Sequence, residues 1–267
     1  MDEPPGRLRR VCVALLLLLY PLIWGLDSGW WHLSPDVVII STLLPLAWVL
    51  AHRFKNEAAD KKHEFFVTIL ASITMVVGVV ANSMALMAMG WSGLAVFHLL
   101  PGSCIPRWRL WLLSAGAFPW VLLDLQVLGW WFRLSGAALT GLVFDWLGAS
   151  VTVRGTLLEI DGLAISVEAA CGGLQLLQVL MSGGIALTIL RFPKARGFWL
   201  MVFLLPVLGW LSNTVRIMII SWAGILLGPE FAAGVFHTGG ALLVLVTMLA
   251  LYHCFASIVS RYASSHP

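Results

Sequence analysis

The sequence predicts an all-α polytopic membrane protein of about eight transmembrane helices, with a small extracytoplasmic interfacial helix and β-hairpin before the sixth. Three observations predict it. Hydrophobic residues make up 60% of the 267 positions and charged residues only 11%, less than half the charged share of an ordinary soluble domain. Apolar runs near the roughly 20 residues needed to cross the hydrocarbon recur along the whole chain. The basic residues gather in alternate connections between those runs.

The first run, Val11 to Leu26, follows Arg7, Arg9 and Arg10. The stretch "DSGWWHLSPD" comes next instead of a small-residue cleavage site, so residues 11–27 read as a retained signal anchor. Further spans are expected at 36–52, 65–88, 91–105, 110–129, 169–190, 198–224 and 237–258. The fourth is short and Gly-rich. Between the fifth and sixth, "WWFRLSGAALTGLVFDWLGA" is amphipathic enough to lie along the interface. The following stretch alternates, with Val151, Val153, Leu158, Ile160, Ile165 and Val167 apolar. Asp161-Gly162 supplies a tight-turn signal for a hairpin. Neither an internal repeat nor a second domain is evident, so residues 1–267 read as a single transmembrane domain.

Orientation follows from the bias of Lys and Arg towards the cytoplasm. With the N-terminus inside, 13 of the 16 basic residues fall on the cytoplasmic side. Arg133 and Arg154 fall outside, and Arg216 lies within a span. Keeping the fourth span keeps Arg107 and Arg109 inside. Trp30, Trp31, Trp91, Trp130 and Trp131 fall near outer ends, as an aromatic belt would. Both termini are then cytoplasmic. The net charge of +3 carries no suggestion of nucleic acid, and the one partner composition demands is the lipid bilayer.

That orientation separates the four cysteines. Cys12, Cys104 and Cys254 lie towards inner ends, and Cys171 alone lies outside. In "VEAACGGLQLLQ" the helical spacing of Glu168, Cys171, Gln175 and Gln178 puts them on one face. Polar groups within a bilayer normally face a cavity or another helix. Gly172 and Gly173 leave room for a second backbone beside the thiol. In "LSNTVRIMII", Arg216 is 18 residues beyond Phe198, about 27 Å along a helix, near the outer edge of the hydrocarbon, with Asn213 one turn earlier. His237 opens the eighth span from the outside. A thiol, a guanidinium and an imidazole thus arrive at one depth. Arg216 is either part of a site or a structural partner for Glu168 or Asp145.

Together these groups suit attack on a peptide bond. His237 takes the proton of Cys171 or holds its thiolate as an ion pair. Arg216 stabilises the oxyanion, and a thioester acyl-enzyme results. Water then gives hydrolysis, and an amine or hydroxyl gives transfer. The reaction calls for no cofactor and no metal.

The three stretches resemble the exosortase/archaeosortase family over about residues 150–245. The family's acidic-Ala-Cys-Ser-Gly-Leu type motif reads here Glu168, Ala169, Ala170, Cys171, Gly172, Gly173, Leu174, with an extra Ala and with Gly172 where Ser is common. Its Asn-x-x-Arg-Ile motif is matched by Asn213, Arg216 and Ile217. Its later basic residue is His237, followed by Gly240, as is typical of bacterial exosortases. The resemblance implies a membrane cysteine protease or transpeptidase of the bacterial inner membrane with an extracytoplasmic active site. Its catalytic residues would be Cys171, Arg216 and His237, with Glu168, Gly172, Gly173, Gln175 and Asn213 supporting or binding substrate. Its partners would be exported proteins with a C-terminal sorting signal, such as Pro-Glu-Pro before a transmembrane helix and basic tail. Such systems accompany exopolysaccharide loci.

The rival reading is a transporter or channel in which Glu168 and Arg216 line a polar pathway. Polar residues thin out below Gln178, which favours the enzyme. Serine and zinc intramembrane proteases are excluded by the lack of Gly-x-Ser-Gly and His-Glu-x-x-His. Asp124 is the one clear intraspan Asp for an aspartyl type.

Overall fold

The computed structural model describes residues 61–99, 107–116, 118–167, 173–192, 197–228, 230 and 235–265, with single positions between 11 and 25. The expected span at 36–52 lies outside the described residues. The chain forms two compact units, Met1–Asp124 and Leu125–Pro267.

In the first unit, α1 (Lys61–Val80) and α2 (Met84–Leu99) pack as an antiparallel pair. The break expected between residues 88 and 91 falls instead at residues 81–83. Asn82 takes a left-handed conformation there (φ 50°), which a short polar side chain tolerates. Gly90, which looks like a breaker, sits inside α2. A Cβ on it would lie 2.6 Å from the backbone nitrogen of Met75 and 2.7 Å from its Cα, so this glycine serves helix contact, as small residues do between membrane helices. Trp91 donates its indole N–H to the Leu16 carbonyl at 2.8 Å. The Asp124 carboxylate accepts from the Ala85 N–H at 2.6 Å, satisfying one of the open donors that begin α2.

The expected span at 110–129 is divided. Helix α3 (Arg107–Gly116) stops before Pro119, and α4 (Trp120–Asp124) follows it. Proline removes a backbone donor and disfavours helical geometry in the residue before it.

The second unit begins with α5 (Gln126–Trp146). It joins the end of the expected fifth span and the expected interfacial helix into one 21-residue helix, long and apolar enough to cross a membrane. Arg133 therefore lies within α5 instead of an outer loop, its Nε donating to the Gly129 carbonyl at 3.4 Å. The small residues Gly136, Ala137, Thr140 and Gly141 form its buried face.

A three-stranded antiparallel sheet follows: β1 (Val151–Arg154), β2 (Leu157–Ile160) and β3 (Leu163–Ser166), in that order. The expected Asp161-Gly162 turn joins β2 to β3, with both residues at positive φ (49° and 80°), as a type I′ turn requires. The stretch expected as one strand folds at Gly155 (φ 65°), which adds a second two-residue turn. Leu158 and Ile160 of the middle strand pack with Phe144, fixing the sheet beside the C-terminal half of α5.

Three long helices complete the unit: α6 (Leu174–Arg191), α7 (Phe198–Leu227) and α8 (Val235–Ser265). With α5 they make four described helices of membrane-crossing length and composition. Leu200, Phe203, Val207 and Leu211 form an exposed apolar stripe on α7. Lipid is the solvent that such a stripe requires, and the chain is a multi-pass membrane protein.

Packing contacts fix the directions. Trp210 Nε1 of α7 donates to Ser135 Oγ of α5 at 2.9 Å. Phe144 and Trp222 meet further along the same pair, with ring centroids 6.0 Å apart, so α5 and α7 run parallel. Contacts of Gly173 with Asn213, Gly209 with Leu177 and Gly184 with Leu205 make α6 antiparallel to α7. Helix α8 runs parallel to α6. The Tyr252 hydroxyl meets Thr188 Oγ1 and donates to the Met201 carbonyl at 3.3 Å, and Arg191 meets the His253 ring at 3.0 Å.

Candidate active site

Of the residues expected at the site, Glu168, Cys171 and Gly172 lie outside the described residues, as does the side chain of His237. Gly173, Gln175, Asn213 and Arg216 are described, and three of them lie on one short stretch of contact between α6 and α7.

Gly173 is the N-cap of α6, with φ +74° and ψ −5°. Only glycine adopts that conformation without cost. The helix therefore starts at Leu174, and the stripe of one helical face expected from Glu168 to Gln178 does not extend through Gly173. Gln175 is exposed and Gln178 buried, so the two glutamines of the stripe part company.

A second restriction acts on Gly173. A Cβ there would lie 2.5 Å from Asn213 Cγ, 2.6 Å from Asn213 Cβ and 2.9 Å from Asn213 Oδ1. The Asn213 amide thus rests on the bare Cα of Gly173. Asn213 is wholly buried, and among the described residues neither Oδ1 nor Nδ2 has a hydrogen-bond partner. Leaving one buried polar group unmet costs about 1–3 kcal/mol, so this amide is an expense that packing alone does not repay. The buried hydroxyls of Thr140 and Ser221 are unmet among the described residues as well.

Arg216 follows Asn213 by three residues, which puts their side chains on one face of α7. It is buried, at 6% exposure. Its neighbour Ile217 packs with Val167 and Ala137. The chain on either side of residues 168–172 is therefore held on α7. Val167 is at Ile217 and Gly173 is at Asn213, anchors about one helical turn, or 6 Å, apart.

His237 lies in the first turn of α8. The pairs Thr188–Tyr252 and Arg191–His253 set α8 at an offset of 64 and 62 residues from the parallel α6. Nearer the start of α6 the Gly183–Leu249 contact has an offset of 66, so the two parallel helices shift in register along their length.

With this geometry in hand, the match to a family model is decisive: the transmembrane exosortase model (Exosortase_EpsH) covers residues 9–253. The chain belongs to the transmembrane exosortase family. Neither a curated protein nor a solved structure matches it. Exosortases are membrane cysteine transpeptidases with a sorting role, and the match takes in the first unit as well as residues 150–245. Among the described residues of this exosortase, no three His, Cys, Asp or Glu side chains come together as a metal site would require. Asp124 caps α2 through Ala85, a structural task that leaves no case for an aspartyl mechanism there.

Two features of the site escape the sequence reading. Thr140 becomes part of the buried wall only because α5 crosses beside α7, and the small residues at 136, 137, 140 and 141 were the signal for that face. The Asn213–Gly173 contact links residues 40 positions apart and has no local signature.

Proposed function

We propose that this exosortase cleaves a C-terminal sorting signal of exported proteins at Cys171, through a thioester acyl-enzyme, and passes the acyl group to a surface acceptor. His237 activates the thiol, as base or as ion-pair partner, and Arg216 stabilises the oxyanion. The enzyme lies in a bacterial inner membrane with both termini in the cytoplasm, so the sheet and the site face outwards. The positions of the basic residues support that orientation. Arg133 now falls within α5, leaving Arg154 as the one described basic residue in the sheet.

One observation carries the reading: Asn213, one turn before the buried Arg216 on α7, rests against Gly173, two residues from Cys171. Two residues of chain span at most about 7 Å, within reach of an arginine side chain. The buried polar groups at the opposite end also speak against a transport pathway. Thr188 bonds the Gly184 carbonyl and Tyr252, so these groups are tied to one another and line no channel.

The experiment is co-expression of the Cys171→Ala and Cys171→Ser variants with a tagged sorting-signal substrate. Cleavage should stop in both, and hydroxylamine should release the acyl-enzyme of the native protein as a hydroxamate. Normal cleavage by Cys171→Ala would remove the nucleophile from the mechanism.

A further inference from the structure

We propose that the Asn213 side-chain amide is the docking point for one extended residue of the substrate backbone, with Oδ1 accepting from its N–H and Nδ2 donating to its C=O. The inference rests on the cysteine-peptidase reading and adds a recognition element to it.

The observation behind it is the pair of unmet atoms. Buried amides in folded proteins are almost always hydrogen-bonded, and each exception calls for an explanation. Among the described residues Asn213 leaves both its donor and its acceptor open at zero exposure, although α7 continues for 14 residues beyond it. Ser212 and Thr214, its neighbours, instead close their hydroxyls on the Leu208 and Trp210 carbonyls one turn back. Ser221, two turns further along α7, also has a hydroxyl unmet among the described residues, but Asn213 is where a donor and an acceptor are open together. It is also positioned: the Gly173 Cα lies against it, so the amide cannot turn freely.

The ligand class follows from the chemistry. A primary amide presents one acceptor and one donor side by side. A trans peptide group points its N–H and C=O in opposite directions, so the complementary surface is the N–H and C=O of one residue in an extended segment, which point the same way. Backbone recognition of this kind reads no side chain. It fits an enzyme whose substrates share an extended segment, with sequence preference set by other residues.

The test uses the full-length protein in detergent and two kinds of probe. Acetyl-Pro-Glu-Pro chloromethyl ketone and iodoacetamide report the alkylation rate of Cys171 with and without a peptide. Acetyl-Pro-Glu-Pro amide, which cannot react, reports docking through thermal stabilisation. Asn213→Ala should slow the peptidyl probe roughly ten- to hundred-fold, the loss of two hydrogen bonds. It should leave the iodoacetamide rate within about threefold and abolish stabilisation by the peptide amide. Asn213→Asp, which keeps the shape and the acceptor but loses the donor, should fall between. The proposal is overturned if both alkylation rates fall together, since Asn213 then only shapes the thiol's surroundings. It is also overturned if the peptide amide stabilises Asn213→Ala as well as the native protein, or stabilises neither. A native Cys171 inert to iodoacetamide would count against the nucleophile, while the peptide-amide measurement would still decide the role of Asn213.

Discussion

Replacing Gly173 with alanine should damage this protein twice over, and the two injuries are separable. The first is conformational: at φ +74° an L-residue pays about 1–2 kcal/mol. The second is steric. The new methyl would sit 2.5–2.9 Å from three atoms of the Asn213 side chain, which is buried on a long helix and has nowhere to go. Overpacking of this kind costs about 1–3 kcal/mol. The sum is about 2–5 kcal/mol, which at about 2–4 °C per kcal/mol lowers the melting midpoint by roughly 5–20 °C. Gly155→Ala is the control, because its φ is +65° and nothing lies within 4 Å of the added Cβ. It should lose only the conformational part. Asn213→Gly clears the obstruction, whereas Asn213→Ala leaves a Cβ 2.6 Å away. Gly173→Ala should therefore cost less in an Asn213→Gly background than in the native one, a coupling of about 1–3 kcal/mol in a double-mutant cycle. Differential scanning fluorimetry of the four detergent-solubilised proteins measures it. Equal losses for Gly173→Ala and Gly155→Ala, or zero coupling, would refute the contact.

Arg216→Lys should cleave a sorting-signal substrate at least 100-fold more slowly than the native enzyme, since a lysine keeps the charge but not the planar fork; single-turnover cleavage in membranes measures it. Gly90→Ala should cost about 1–3 kcal/mol by driving a methyl into the backbone of Met75. Gly183→Ala, which would meet only Leu249 at 3.6 Å or more, should be tolerated, and melting midpoints compare the two. Tyr252→Phe should lose about 1–2 kcal/mol, because Thr188 keeps its bond to Gly184 while the Met201 carbonyl loses its donor.

Helices were legible where hydrophobic composition alone decides them, and their ends were not. The break expected between residues 88 and 91 was misplaced because a glycine in an apolar run has two meanings, and only the neighbouring helix tells a turn from a contact. Asn82, which makes the turn, carries no strong signal in "VVANSMA". The amphipathic character of residues 130–149 was real, but its small face seeks α7 and the sheet, not the membrane surface. The Asp161-Gly162 turn was readable because a type I′ hairpin demands those residues locally. Asn213 and Arg216 were expected one turn apart in one span, and α7 carries and buries both. The reason Gly173 must be glycine was only half visible, since its partner is 40 residues away.

Helices α6 and α8 run in the same direction, and α6 opens at Gly173, against Asn213 one turn before Arg216. The opening N–H groups of two helices therefore point towards one end of the bundle, and each helix carries roughly half a positive charge there. The C-terminus of α7 lies 11 residues, about 16 Å, beyond Arg216, so the helix end nearer the buried guanidinium is the positive one of α6, and the backbone itself supplies that part of the potential. Such a field is shielded from salt wherever lipid and protein replace water, and side-chain substitutions at the surface leave it in place. Its sign favours any chemistry that passes through an anion.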